Sequence, residues 1–408
     1  MAYWRNLSSV LLGTVIAQAL PVLSSLIIAR QFLPADFGVY SVWLGLTVFL
    51  SVCLTGRLET SLPMKEDGKK RASAVLYVIA TTIIASLFIF LILALLFFMG
   101  VKSIGVMSLK FLFFSLAVAI LMAFSQIWQN WAASEGFLRK LSFIRIAQAG
   151  LVAFLQVGFG FFQPDVTGLI LGHFIGFIFS FLICLLLMPA IMSVDIINFK
   201  FGLLAFWKRN RNFPLISLPA DIINSAAMQL PLIMIANKFG ADNAGYYALT
   251  IRALGAPIGL LGSATLDIFK RHAASAYRTR GECEPEFLFT FKILLAGSAL
   301  SSILFFFFAE QLIIFAYGES WSASGKIAIW LIPLFAFKFV ASPLSYMVYI
   351  AGKQHTDLLW QISLLIMTIA TLRSADTFSD SMQIYSLGYV FLYVTYLGLS
   401  YKYSLGNK

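Results

Sequence analysis

ASAVLYVIATTIIASLFIFLILALLFFM, residues 72–99, carries no charged side chain from end to end. At about 1.5 Å of rise per residue it outreaches the roughly 30 Å of hydrocarbon in a bilayer. About twelve stretches of this kind, each near the ~20 residues a spanning helix needs, fill the chain: 8–29, 37–55, 72–99, 111–129, 143–162, 166–189, 213–236, 245–269, 287–309, 326–350, 358–372 and 383–401. Exposed backbone polar groups are not tolerated in hydrocarbon, and a barrel would show short alternating strands instead, so the segments read as helices. The composition agrees: 60% hydrophobic residues, 40 Phe and 12% charged residues leave too little polar surface for a soluble globule of 408 residues. The chain therefore reads as an all-α polytopic membrane protein.

Basic loops give the orientation, because Lys and Arg are retained on the cytoplasmic side. One face collects Lys65, Lys69, Lys70 and Arg71, then Arg139, Lys140 and Arg145, then Lys200, Lys208, Arg209 and Arg211, then Lys270, Arg271, Arg278 and Arg280. The other holds only Arg30, Lys102, Lys110, Lys238, Lys326 and Arg373. Both termini are expected in the cytoplasm. The net charge of +11 is this topology signal together with attraction to anionic lipid headgroups, not a sign of nucleic-acid binding. The first apolar segment is too long, and too poor in a small-residue cleavage site, for a removed signal peptide. Cys53, Cys184 and Cys283 lack the paired spacing of disulfide, zinc or redox sites.

Shifted by half its length, the chain partly matches itself. Ile28, Ala29, Phe32, Gly38 and Tyr40 fall opposite Ile235, Ala236, Phe239, Gly245 and Tyr247. An even number of helices per half gives both halves the same orientation and a pseudo-two-fold axis along the membrane normal. The expected organisation is a six-helix bundle over 1–189, a cytoplasmic connection over 190–212 that is partly amphipathic and lies on the inner leaflet, and a second six-helix bundle over 213–408. A cleft between two such bundles is an alternating-access geometry.

Ionisable groups in membrane helices are costly and usually face a cavity or a partner. The seventh segment carries Asp221, Ser225 and Gln229 at steps of four with Asn224 beside them, and Arg252, Lys292 and Lys338 follow in the next three. These side chains, with Arg30 and with Gln126, Gln129 and Asn130 of the fourth segment, are candidates for a substrate cavity. Alternatives stay open: Lys292 and Lys338 can snorkel to headgroups, and the Gln/Asn group can be an interhelical hydrogen-bond cluster. Asp221 is expected to balance Arg252. His173 and Asp221 are candidate proton relays, His173 reading equally as a hydrogen-bonded packing residue. Gly168, Gly172, Gly176 and Ser180 form a small-residue stripe for close helix approach, and Pro257, between Gly255 and Gly259, suggests a hinge. Walker A, G-x-S-x-G and H-E-x-x-H motifs are absent, and three His at 173, 272 and 355 are too scattered for a metal site. The expectation is a protein that is not an enzyme and needs no cofactor, with coupling to a proton or sodium gradient as an open possibility.

Several short motifs, in order, span nearly the whole chain: Ala29-Arg30 and Pro34-Ala35-Asp36-Phe37-Gly38-Val39-Tyr40; Asn212-Phe213-Pro214; Gly245-Tyr246-Tyr247-Ala248-Leu249 with Arg252 and Pro257; Gly318-Glu319-Ser320-Trp321 with Gly325; Ser342-Pro343-Leu344-Ser345; and Gly352-Lys353-Gln354. In these the chain resembles the polysaccharide-biosynthesis flippases, the Wzx-type O-antigen translocases of the multidrug/oligosaccharidyl-lipid/polysaccharide superfamily. Ser324 stands where that family's Ala is expected, a small-for-small change. The resemblance implies two six-helix bundles around a central cavity in a bacterial cytoplasmic (inner) membrane. It implies as substrate an oligosaccharide on a polyprenyl pyrophosphate, moved outward for O-antigen, lipopolysaccharide or other surface polysaccharide synthesis. Its implied partners are that lipid-linked glycan, membrane lipids, and the polysaccharide polymerase and chain-length proteins. Two alternatives are a cation-coupled multidrug antiporter of the same superfamily, which wants acidic cavity residues, and a membrane glycan polymerase or transferase, which wants a long extramembrane loop.

The charge distribution generates a direct test. Cysteines placed at Lys69 and Arg278 should react only from the cytoplasm, and cysteines at Asn243 or Ser322 from outside. Labelling of the first pair in intact cells by an impermeant thiol reagent would overturn the orientation.

Overall fold

The computed structural model of the chain describes residues 2–66, 68–104, 107–187 and 199–406. Every one of the twelve apolar segments is helical there. They are α1 (Ala2–Gln31), α2 (Pro34–Thr55), α3 (Lys69–Phe98), α4 (Leu109–Ser134), α5 (Leu138–Phe162), α6 (Val166–Leu187), α8 (Leu218–Phe239), α9 (Ala241–Arg280), α10 (Glu284–Tyr317), α11 (Ser322–Leu344), α13 (Gln354–Ser374) and α14 (Phe378–Ser404). Shorter pieces are α7 (Phe199–Arg209), α12 (Met347–Ile350) and a small antiparallel pair, β1 (Ser103–Ile104) with β2 (Met107–Ser108). Among the described residues ten helices are long and apolar enough to cross a membrane, which makes this an all-α polytopic membrane protein. The described apolar part of α1, Val15–Gln31, is shorter. In α9, Arg252, three tyrosines and several glycines dilute the apolar character.

Helix ends follow local chemistry. Pro34 opens α2, a position where the missing N–H costs nothing and the fixed φ suits the helix. Gly56 closes it in the left-handed region, with φ 58°, its N–H on the Cys53 carbonyl at 3.1 Å. The Ser108 hydroxyl accepts from the Phe111 N–H at the start of α4, and Thr377 accepts from the Asp380 N–H at the start of α14, satisfying otherwise orphaned donors.

The chain forms two compact units, Met1–Gln229 and Leu230–Lys408, so the division falls within α8. The helix neighbours within each unit repeat. In the first, α2, α3 and α6 pack on α4, and α5 packs on α6; in the second, α9, α10 and α14 pack on α11, and α13 packs on α14. The paired residues of the internal match agree: Ile28, Ala29, Phe32 and Tyr40 are buried, as are Ile235, Ala236, Gly245 and Tyr247. Tyr40 reaches α6 through a hydrogen bond to His173, and Tyr247 reaches α14 through Tyr385.

Trp43, fully buried, anchors the first unit by donating its indole N–H to the Phe111 carbonyl at 3.0 Å. Towards the basic end, Leu58 and Leu62 pack with Val75, Val78, Ile127, Trp128 and Ile144. Arg71, 5% exposed, ties α3 to the end of α4 by its ion pair with Glu135 at 2.8 Å and bonds to two carbonyls. Part of the connection is α7, in which Leu203 and Phe206 are buried and Trp207 donates to Thr81 at 2.7 Å, while Phe201 and Leu204 stay exposed. Residues 190–198 of that connection lie outside the described residues. In the second unit Phe269, Phe287, Leu294, Leu344 and Met347 form the corresponding core.

The small-residue stripe of α6 is a contact surface. A Cβ on Gly172 would stand 2.8 Å from the Gln156 backbone, and one on Gly176 would stand 2.8 Å from Val152 Cα. Both belong to α5, so the two backbones touch, as close approach in lipid requires. Gly172→Ala should therefore overpack the interface at a cost of about 1–3 kcal/mol. Gly158→Ala, with nothing within 4 Å of the new carbon, should stabilise α5 by up to about 1 kcal/mol. Opposite shifts of the thermal midpoint of the purified protein check both; equal shifts would refute the close contact.

Candidate functional site

Two polar groupings interrupt the apolar packing of the first unit. The first joins α2, α4 and α5. Gln126 donates to the Ser51 hydroxyl, Gln129 donates to Ser125, and Ser125 donates to the Gln148 side chain, all at 3.1 Å. Arg145 donates its Nε–H to the Gln129 amide oxygen at 3.1 Å. Asn130 folds back on the Gln126 carbonyl at 2.9 Å. The residues expected from the sequence, Gln126, Gln129 and Asn130, are thus an interhelical cluster. Ser51 and Ser125 are buried, while Gln126, Gln129, Asn130, Arg145 and Gln148 are partly accessible, so the cluster also presents a polar face with one guanidinium in it.

Arg145 corrects the charge reading. Counted there with the loop cations, it stands on α5, two turns from its start, facing α4. Helix periodicity carried a signal for this: Arg145 and Gln148 lie three apart, and helical neighbours at that spacing share a face.

The second grouping lies where α2 meets the first half of α8. Asp221 pairs with Arg57, Nε to Oδ2 at 2.5 Å, and Arg57 also reaches Glu59 at 3.4 Å. Asp221 thus finds its counter-charge in Arg57, where the sequence reading gave it Arg252. Two turns along α8, Gln229 lies over Gly45 of α2, so closely that a Cβ there would stand 2.6 Å from the amide oxygen. The stripe Asp221, Ser225, Gln229 therefore runs along α2, while Asn224 is exposed beside it.

His173, the candidate relay on α6, is buried, its Nδ1 on the Tyr40 hydroxyl at 2.9 Å. The Trp43 ring meets it edge-on at 5.5 Å and Phe177 stacks on it at 5.0 Å. Arg30 is exposed in the last turn of α1.

In the second unit the candidates are dispersed. Arg252 is half-buried on α9, Lys292 is exposed on α10, and Lys338 on α11 is half-buried with its ammonium 5.9 Å from the Phe335 ring centre. Lys238 donates to three carbonyls closing α13, those of Leu372, Arg373 and Ala375. Sequence reading passed over the tyrosines of α14. Tyr385, Tyr389, Tyr393 and Tyr396 form a buried column, Tyr385 edge-on to Tyr389 at 4.8 Å and Tyr389 tilted against Tyr393 at 5.7 Å, with Trp360 against Tyr393 and Tyr396. Spacing by four was visible in the sequence, but tyrosine in a membrane segment reads first as an interface anchor. Asp357 is held by Tyr349, Tyr396 and Gln361. An apolar groove runs between α9, α10 and α11, lined by Leu254, Ile258, Leu261, Phe305, Phe335 and Phe339.

Several solved structures share this fold. The lipid II flippase MurJ in an inward closed conformation superposes with a TM-score of 0.72 at 14% identity, covering 96% of this chain and 87% of that one. An inward-facing multidrug resistance MATE family transporter of the MOP superfamily gives 0.65 at 16% identity, covering 94% and 93%. A MOP superfamily transporter from Pyrococcus furiosus, described by a reversed polarity of its binding pocket, gives 0.55 at 14% identity, covering 97% and 94%. No curated protein matches by sequence. Residues 27–326 match the profile of the polysaccharide biosynthesis protein family. With that match over most of its length, on a fold shared with flippases and transporters, the chain belongs to the polysaccharide biosynthesis protein family.

Proposed function

We propose that the protein flips polyprenyl-pyrophosphate-linked oligosaccharide units across the bacterial cytoplasmic membrane by alternating access, for O-antigen or another surface polysaccharide. The observation that carries this is family membership on a flippase-like fold whose membrane helices hold guanidinium groups within polar surroundings. Arg145 sits among Gln129, Gln148 and Ser125, and Arg252 sits half-buried on α9. A planar guanidinium binds phosphate bidentately, whereas an ammonium offers only a point charge. The amides of the same cluster suit sugar hydroxyls, and the groove between α9, α10 and α11 suits an isoprenoid chain. A cation-extruding antiporter would want carboxylates at these positions. Residues 30, 126, 129, 130, 221, 224, 229, 252, 292 and 338 remain the proposed cavity set, to which Arg145 and Gln148 are added.

Deletion of the gene should abolish surface polysaccharide while lipid-linked repeat units still form and accumulate on the cytoplasmic side. Loss of the lipid-linked unit itself would place the protein in synthesis and defeat the reading. Removing one charge-assisted hydrogen bond costs about 1.5–3 kcal/mol, a factor of roughly ten to a hundred. Arg145→Ala and Arg252→Ala should lower export by that order at normal membrane levels, and the lysine variants should retain part of it. Full export by both alanine variants would remove the arginines from the substrate site.

A further inference from the structure

Arg57, Glu59 and Asp221 form a charge arrangement that a packing role does not explain. Two carboxylates share one guanidinium: Arg57 is 2.5 Å from Asp221 and 3.4 Å from Glu59. Glu59 is 1% exposed, and its Oε2 is buried with no hydrogen-bond partner. The Thr55 hydroxyl beside it donates to the Val52 carbonyl and accepts from the Arg57 N–H. Arg57 itself has φ 60°, the one non-glycine residue with positive φ among the described residues. Such a conformation persists only where surrounding structure demands it.

With both carboxylates ionised, the trio carries a net negative charge, with Glu59 buried and Arg57 and Asp221 partly exposed. Nearby cations do not supply the balance. On α3, Lys70 pairs with Glu66 and Arg71 with Glu135, while Lys69 is exposed. Lys65 donates to Asn210 and lies near Arg209. From α4 the charged neighbour is Glu135, already engaged by Arg71; the turn before α8, Phe213–Ser217, brings no charge. A proton on Glu59 restores neutrality and leaves Arg57 wholly to Asp221.

We propose that Glu59 is a proton-binding site governing an Arg57–Asp221 latch, which closes the first half of α8 onto α2 when Glu59 is protonated and releases it when Glu59 ionises. Burial holds the Glu59 carboxyl above its usual range and the Asp221 charge adds to this, against Thr55, its own backbone N–H and Arg57. The sign follows from linkage: a carboxyl whose pKa is raised in one state favours that state at low pH and ceases to favour it as pH rises through the raised value. Once unlatched, Asp221 moves away, Arg57 pairs with Glu59 alone, and the carboxyl returns towards its ordinary value. The segment that would move has its own breaks. A π-turn at Phe213–Ser217 containing Pro214 precedes it, and Pro231 follows Gln229. Gln229 over Gly45 then acts as the far contact of the same surface.

The meaning of the motion rests on the transporter reading, but its measurement needs no substrate. Spin labels at Met64→Cys and Leu215→Cys, both exposed positions, in the full chain with Cys53, Cys184 and Cys283 changed to Ser, report the distance between the turn after α2 and the approach to α8. Pulsed EPR should show a short-distance population whose ratio to the rest falls as pH rises from 4 to 8, by up to about tenfold for each unit of difference in pKa between the two states. Glu59→Gln, neutral at every pH, should keep the short distance throughout, and Asp221→Asn should lack it throughout. An unchanged distribution across that range in the parent, or parental pH dependence in either variant, would overturn the proposal; Asp221→Asn decides it alone should Glu59→Gln not fold. A distance that titrates, in a protein whose deletion leaves surface polysaccharide intact, would defeat the flippase reading and leave the latch standing.

Discussion

Hydrocarbon offers a peptide group no hydrogen-bond partner, so every spanning segment must satisfy its own backbone. That constraint fixes the helices before any side chain is considered, and it shifts the specification of the fold to contacts between finished cylinders. Lipid also removes the hydrophobic drive that would bring helices together in water. Close backbone approach has to do that work, which is why Gly172 and Gly176 rest on α5 and Gly325 rests on Glu310 of α10, where an added Cβ would stand 2.5 Å from Glu310 Cα. A side chain at these points separates the helices.

Polar groups obey the same economy from the other side. Hydroxyls of Thr47, Thr82, Ser86 and Thr250 return to carbonyls four residues back on their own helices. They cost little and specify little. Groups that cannot satisfy themselves this way reach across: Trp43 to α4, Gln126 to α2, Arg145 to α4, Tyr40 to α6. Those bonds select which helices are neighbours, and the second unit has its own: Ser298 to α11, Ser324 to α9, Trp360 to α14.

Helices were legible because hydropathy reports burial in lipid residue by residue, and the internal repeat because buried positions such as Ile28, Tyr40, Ile235 and Tyr247 hold their identity. Partners were not legible. A charge in an apolar helix declares that it needs something, but its neighbour is set by crossing geometry that no spacing encodes. Asp221 therefore pointed to Arg252, eight turns along the chain, when its partner is Arg57 in the turn after α2. Arg145 and Glu59 were hidden differently, each standing beside a basic loop whose collective charge reads as topology. Only the buried Oε2 of Glu59 and the left-handed Arg57 separate that turn from an ordinary loop.

The two units share neighbour order but not interior chemistry. Around α4 the first unit places amides, serines and Arg145, half-accessible and joined by bonds a competing ligand can replace. The corresponding α11 is flanked instead by the tyrosine column of α14, buried and filled with rings. A ring column carries large apolar area with a single polar tip per residue, so it resists hydration where the amide cluster accepts it. One scaffold has thus been given a wettable interior in one half and a dry one in the other. The amphiphile proposed as substrate, with a charged, sugar-bearing head and an isoprenoid tail, has the same division, and Arg145 on the wettable side is where its head would find counter-charge.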